Sequence, residues 1–184
     1  RAFHKIYNPS LLPKTIDKLL SLAYEPFCTM IGPDRGDGSL QEVQKQIKVL
    51  DLNNNIKIIA GIKKFEVADY LSQASIFINT TNIDNTPVSV IEAMACGLCV
   101  VSTNVGGIPY LLEDEVDALL VPPDDPKAMA QAIRRILTDR ELASRLSINA
   151  RKKAESFSWE KILPMWEHLF QEVLDNASRP GNEK

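Results

Sequence analysis

The sequence contains little of what several common kinds of site require. It has three cysteines and two histidines in 184 residues, and its net charge is −3. No apolar run approaches the roughly 20 residues that span a membrane, and the negative charge argues against nucleic acid or an anionic membrane surface as the main partner. Cys96 and Cys99 have C-x-x-C spacing, but no second pair accompanies them. We therefore predict no metal site, and buried, reduced thiols in an intracellular, cytoplasmic protein.

The residues that are present favour one globular domain. Hydrophobic residues make up 45% of the chain and charged residues 24%, and this length suffices for one core. Short β-branched runs alternate with amphipathic segments, and the run at 56–62 is apolar enough for a strand buried on both faces. The alternation predicts an α/β fold, a parallel sheet with helices on both faces. The predicted strands are residues 27–32, 56–61, 75–80, 98–103 and 119–121.

The remainder of the chain, after Pro122, has a helical pattern. Three helices are predicted there, and the last is expected to be kinked at Pro164. We assign residues 1–175 to the domain and residues 176–184 to a flexible tail. Ligands bind such sheets outside the carboxyl ends of the strands. The candidate loops are therefore residues 32–38, 61–64, 79–87 and 103–109.

One carboxylate stands alone in a segment that otherwise predicts a buried helix. Between residues 84 and 113 the only charge belongs to Glu92, within VSVIEAMA. A lone buried carboxylate is costly, so it needs a partner, water or a ligand. Pro87 suits the first turn of this helix, with one of the two preceding residues as its cap. Helical side chains lean toward the N-terminus, so Glu92 and the unpaired N–H groups of the helix end would face one ligand.

These residues carry a resemblance to a known family. Asp84-x7-Glu92 is followed by AMACGLCVVSTNVGGIP and DALLVPPDD. The chain resembles, over residues 1–166, the C-terminal, nucleotide-sugar-binding half of a GT-B glycosyltransferase, which is a Rossmann-like domain. More narrowly, it is similar to retaining glycosyltransferase family 4, the glycosyl transferases group 1. The resemblance implies that a first strand and an N-terminal, acceptor-binding domain are missing here.

The resemblance also implies roles for individual residues. Three residues would be catalytic: Asp84 would lie near the transferred sugar, and Arg1 and Lys5 would neutralise the diphosphate. Glu92 would bind the ribose hydroxyls. The donor would be a nucleoside diphosphate sugar, UDP- or GDP-linked, and neither a metal nor another cofactor is required. Further nucleotide contacts would come from the start of the helix and from the loop that meets the base. These residues are Pro87, Val88, Ser89, Val90, Gly61, Ile62 and Lys63.

Several positions admit a structural interpretation or depart from the family pattern. Glu92 could instead interact with the helix dipole, and Asp84, one methylene shorter than the usual Glu, could only form a turn. Lys5 and Arg1 could be solvated cations. Tyr110 stands where the family commonly has Glu. Four other residues could either have a structural role, in a tight turn or in packing, or contact a ligand. These are Gly106, Gly107, Trp159 and Trp166.

Three functions are compatible with this pattern. The first is retaining transfer of a hexose to a glycan or lipid-linked acceptor by a longer chain, of which this half alone would be inactive. The second is a GT-B-like module that binds a nucleotide or a protein partner without catalysis, and the third is a nucleotide-sugar epimerase of related fold. No nucleic-acid partner is predicted. Peripheral contact of the longer chain with the inner face of the membrane is left open.

Overall fold

The computed structural model describes residues 1–177, in which strands and helices alternate as predicted. The strands are β1 (Cys28–Ile31), β2 (Ile56–Ile59), β3 (Ile76–Asn79), β4 (Cys99–Thr103) and β5 (Leu119–Val121). The helices are α1 (Leu11–Ser21), α2 (Ser39–Val49), α3 (Val67–Ser72), α4 (Val88–Ala95), α5 (Ile108–Leu111), α6 (Pro126–Thr138), α7 (Arg140–Glu155) and α8 (Trp159–Ala177). Single 3-10 turns cover Lys5–Tyr7 and Lys64–Glu66.

The five strands form two parallel sheets rather than the single sheet that we predicted. β1 pairs with β2, with Cys28 opposite Ile56, and the second sheet has the order β3-β4-β5. Residues 1–8 join the carboxyl ends of the two sheets. The α-amino group of Arg1 donates to the carbonyl of Ile31 at 2.7 Å, and the N–H of Asn82 donates to the carbonyl of Ile6 at 2.8 Å. Loops that follow β1 and β3 therefore meet around the N-terminal segment.

Helices cover both faces of the sheets, and the core divides accordingly. One cluster is formed mainly by α1, α2 and α6 against the strands, and the other by α4, α5 and the end of α7. All five residues of β4 are buried. The prediction that the strand at 56–62 is buried on both faces was wrong. In β2 only Ile56 is fully buried and Lys57 is exposed, because this strand has a hydrogen-bonded neighbour on one side only.

Two helix predictions also need correction. Helix α4 begins at Val88, and Pro87 precedes it as an extended N-cap with ψ of 112°. Among residues 1–177 no side chain caps this helix, and the amide oxygen of Asn85 lies against Gly107. Helix α8 contains Pro164, as predicted, but it extends to Ala177, two residues into the predicted tail. Residues 178–184 of that tail lie outside the part of the chain that the structure describes.

Helix α8 differs from the other long helices because none of its residues is buried. Trp159 is 72% exposed and Trp166 is 51% exposed, so neither tryptophan packs into the core. Trp166 instead lies beside Phe170 of the same helix, with ring centroids 5.6 Å apart. A search of the described residues finds no helix with the length and apolar character needed to cross a membrane.

Candidate functional site

Buried polar side chains at the carboxyl ends of β3 and β4 form a network of hydrogen bonds that holds the loop between β3 and α4. The amide of Asn79 donates to the hydroxyl of Ser102 at 3.0 Å. The hydroxyl of Thr103 donates to the carbonyl of Thr81 at 2.5 Å, and the hydroxyl of Thr81 donates to the carbonyl of Ile83 at 2.9 Å. Buried hydrogen bonds of this kind are costly to break. The loops that follow β3 and β4 are therefore fixed to each other.

Two glycines allow the same loops to touch. The N–H of Gly107 donates to the carbonyl of Asp84 at 2.8 Å. A Cβ atom at Gly106 would lie 2.2 Å from the carbonyl oxygen of Asp84, and one at Gly107 would lie 2.2 Å from that of Asn85. Gly106 also has a positive φ of 54°, a conformation that glycine adopts readily. Both glycines therefore serve the close approach of one loop to another.

Asp84 and Arg1, two of the three residues predicted to be catalytic, are in direct contact. The guanidinium of Arg1 forms an ion pair with the carboxylate of Asp84, whose side chain is only 10% exposed. The same carboxylate accepts the N–H of Asn85 at 2.9 Å. The guanidinium of Arg1 also lies 4.1 Å from the centroid of the Tyr7 ring, a cation–π distance. The structure thus brings a cation and a carboxylate together at the carboxyl edge of β3.

Glu92 lies near Arg1, but its side-chain carboxylate has no hydrogen bond or ion pair within residues 1–177. It is half-buried on α4. Burial lowers the pKa of the α-amino group of Arg1, and the nearby Glu92 carboxylate opposes that change. The two groups are therefore close enough for their charges to interact. A half-buried carboxylate that no protein group satisfies is suited to accept hydrogen bonds from a ligand.

The first turn of α4 offers donors beside Glu92. Within the described residues, the N–H groups of Val88 and Ser89 have no acceptor, whereas that of Val90 donates to the carbonyl of Pro87 at 3.0 Å. The hydroxyl of Ser89 is also buried, and it has no partner in the described part of the chain. Free N–H groups at a helix N-terminus favour anions. Of the four residues predicted here, only Val88 and Ser89 can donate a free backbone N–H.

Lys5 does not pair with these groups. Its side chain makes no ion pair within residues 1–177. It lines a cavity of about 280 Å³ together with Asp37, Ser39, Glu42 and other residues. The structure therefore pairs Arg1 with Asp84 and brings the charge of Glu92 close to the Arg1 α-amino group, and it places Lys5 in a separate cavity.

Asp37 is a residue of this cavity that the sequence analysis missed. It accepts the N–H of Lys5 at 2.8 Å and the N–H of Ser39 at 3.1 Å. Hydrogen bonds from the Lys5 backbone and then from the Ser39 side chain lower the pKa of Asp37 to about 2. The imidazole Nε2 of His4 lies 3.7 Å from the same carboxylate. The only available sequence signal was an aspartate between two glycines after a strand.

The loop after β2, which was predicted to contact the base, is more exposed than the loop after β3. Gly61, with a φ of 101°, and Lys63 are exposed, and Ile62 is half-buried. The N–H of Lys63 donates to Glu66 at 2.7 Å, and its ammonium lies 5.6 Å from the Phe65 ring centroid. No hydrogen bond within the described part of the chain links this loop to the one after β3. The structure places these residues at a strand end but does not join them to the Asp84 group.

The cysteines form no common site. All three are free thiols, and the prediction of buried thiols was wrong for Cys96, which is exposed at the C-cap of α4. Burial raises the pKa of Cys28 to about 12. The thiol of Cys99 donates to the carbonyl of Ala143 at 3.3 Å. Among the described residues, no three His, Cys, Asp or Glu side chains are grouped so that they could hold a metal ion.

Comparisons with known proteins agree on one family. The model of the family glycosyl transferases group 1 matches residues 1–153. The D-inositol 3-phosphate glycosyltransferase of Streptomyces bingchenggensis is 27% identical over 152 residues, which are 82% of this chain and 33% of that protein. Sucrose-phosphate synthase from Thermosynechococcus elongatus is 25% identical with a TM-score of 0.80, over 95% of this chain and 44% of that one.

A solved structure with a bound nucleotide has the same fold. Anabaena Alr3699/HepE in complex with UDP is 18% identical with a TM-score of 0.82, over 96% of this chain and 47% of that one. The chain therefore has the α/β architecture of one half of a GT-B glycosyltransferase. It spans less than half the length of each of these three proteins.

Proposed function

Because this chain belongs to the family of glycosyl transferases group 1, we propose that it binds the nucleoside diphosphate of a sugar donor. Within a longer protein, it would support transfer of a hexose to a glycan or lipid-linked acceptor with retention, as in glycosyltransferase family 4. The observation that carries the proposal is Glu92. It is a half-buried carboxylate that has no partner among residues 1–177, on the helix whose first N–H groups are also free there.

Each group in the cluster has a proposed task. Glu92 accepts hydrogen bonds from the ribose hydroxyls, and the N–H groups of Val88 and Ser89 meet the diphosphate. Arg1 and Lys5 supply positive charge to the same diphosphate, which stabilises the leaving group as its bond to the sugar breaks. UDP is a suitable first ligand, because the similar Anabaena protein was solved with it. The exposed loop 61–63 contacts the base.

A second candidate function rests on the engagement of Asp84. Its carboxylate is already bound by Arg1 and by the N–H of Asn85, which leaves it less available to a sugar. A module that binds a nucleotide without transferring sugar fits this geometry. Assaying transfer from a panel of donors with the whole protein separates the two functions. Turnover with a retained anomeric configuration supports the enzyme, and binding without turnover supports the module.

The nucleotide site is tested by calorimetric titration of this chain with UDP, GDP and ADP. We expect Glu92→Gln to weaken binding of the preferred nucleotide by about tenfold, because a hydrogen bond to a charged group is lost. Glu113→Gln is the matched control, since it removes the same charge from an exposed position. Undiminished affinity of the Glu92→Gln variant would show that Glu92 has no part in nucleotide binding.

A further inference from the structure

The turn that carries Lys5 is anchored by one residue from a distant part of the chain. Asp37 lies in the loop between β1 and α2, and its Oδ2 accepts the N–H of Lys5 at 2.8 Å. The imidazole of His4 accepts the N–H of Ile6 at 3.2 Å and so caps the same turn. Its other nitrogen lies 3.7 Å from Oδ2 of Asp37. The orientation of the Lys5–Tyr7 turn is therefore set from outside the N-terminal segment.

The two oxygens of Asp37 have separate partners. Oδ1 accepts the N–H of Ser39 at 3.1 Å, in the first turn of α2, while Oδ2 accepts that of Lys5. The Lys5 backbone and α2 are thereby fixed to one side chain on the wall of one cavity. The side-chain charge of Lys5 has no ion pair within residues 1–177, so it remains available to an anion.

We propose that Asp37 is a positioning residue that holds the Lys5–Tyr7 turn so that Lys5 can reach the diphosphate of the donor. This inference rests on the proposed function, in which Lys5 binds that diphosphate. Ordering a flexible lysine and its backbone reduces the affinity for a ligand. A turn fixed before the ligand arrives avoids the backbone part of that cost.

Asp37 would affect the binding of an anionic ligand in two opposite ways. Its hydrogen bond to Lys5 favours binding and its negative charge opposes binding, and the two effects can be separated. A carboxylate near a diphosphate repels it, so removing the charge alone would strengthen binding. Loss of the hydrogen bond to Lys5 would weaken binding, but only where Lys5 is present. The influence of Asp37 through Lys5 is therefore the difference between the effects of one substitution in two backgrounds.

The substitution that isolates the contact is Asp37→Asn. The asparagine oxygen can still accept the N–H of Ser39, whereas its NH₂ group would face the N–H of Lys5, so that two donors oppose each other. Asp34→Asn is the matched control. It removes the same charge from the same loop, but Asp34 binds the N–H of Gly36 and the amide of Gln41, not the Lys5 turn.

The experiment is calorimetric titration with UDP and with uridine, which lacks the diphosphate. We expect Asp37→Asn to weaken UDP binding about fivefold, to leave uridine binding unchanged, and to have no weakening effect in the Lys5→Ala background. The control Asp34→Asn should not weaken UDP binding. Equal weakening in both backgrounds, or equal weakening of UDP and uridine, would overturn the inference.

A further pair of measurements separates this inference from the function on which it rests. Lys5 is exposed, so Lys5→Ala should fold even if Asp37→Asn does not, and it should weaken UDP binding but not uridine binding. If the unaltered chain binds UDP and Lys5→Ala binds it equally well, the inference fails together with the proposed task of Lys5, while the proposed binding of a nucleoside diphosphate stands. If the unaltered chain binds no nucleoside diphosphate, both fail.

Discussion

The loop after β3 and the loop after β2 lie at the same kind of position but are held very differently. The first is fixed by buried side chains beneath it, by the glycine pair beside it and by Arg1 across it. The second is exposed, and its hydrogen bond and ring contact are to Glu66 and Phe65, within its own segment. One loop is therefore defined by long-range contacts and the other by its local sequence.

This difference between the two loops indicates which part of the domain has a fixed geometry before a ligand binds. Under the proposed function, the ribose and diphosphate meet the anchored loop and the start of α4, and these groups are the same in every donor nucleotide. The base meets the loop that has few constraints. Geometry fixed before binding reduces the entropy that the ligand must overcome. A loop with few constraints can instead accommodate different bases with little effect on the rest of the site.

The largest loss of stability is expected from a substitution in the loop that packs closely against the loop after β3. In Gly107→Ala the new methyl group would overlap the carbonyl oxygen of Asn85, which lies 2.2 Å from the Cβ position. Because the backbone itself must move, we expect a loss of about 3 kcal/mol in the free energy of unfolding. Urea denaturation followed by circular dichroism measures it. A loss below about 1 kcal/mol would show that the loops are not tightly coupled.

A smaller effect is expected from the matching substitution in the exposed loop. Gly61→Ala places no atom near another group, but the alanine must adopt a φ of 101°. Only backbone strain opposes this change, so we expect a loss of about 1.5 kcal/mol. The same denaturation experiment applies, with Gly107→Ala as the reference. Equal losses for the two variants would contradict the comparison between the loops.

The smallest effect is expected at the third loop, after β1, where Asp37 is the anchor. The pKa of Asp37 is lowered from 3.8 to about 2 in the folded protein, chiefly by the hydrogen bond from Lys5. Its contribution to stability is therefore complete above about pH 4 and is lost as the pH falls towards 2. The difference in unfolding free energy between the unaltered chain and Asp37→Asn should shrink over that interval. A difference that stays constant from pH 6 to 2 would rule out this anchor.

Much of the fold followed from local patterns in the sequence. The run of apolar and β-branched residues at 98–103 predicted β4 nearly to the residue, and the short run at 119–121 matched β5. Such strands are recognisable because a largely buried strand is made mostly of apolar and β-branched residues. The same reasoning failed for β2, because a short apolar run does not reveal whether the strand will have one neighbour or two. Helix α5 was also missed, since four residues are too few for a periodic pattern.

The candidate site was predictable only in part, for a related reason. Glu92 was evident because a charge inside an apolar helix is a local anomaly. The contact of Asp84 with Arg1 spans 83 positions and that of Asp37 with Lys5 spans 32. Contacts of this kind depend on how the strands are arranged, which no local pattern records. Whether these residues bind a nucleotide remains a prediction.

The exposure of α8 decides how the stability of this protein can be measured. Both tryptophans of the chain, Trp159 and Trp166, lie on this helix, and neither is buried. Intrinsic tryptophan fluorescence therefore reports on the surroundings of α8, while the sheets and the loops at their edges contain no tryptophan. A fluorescence melting curve would therefore report the unfolding of one surface helix. It would contain little information about the loops where the ligand is expected to bind.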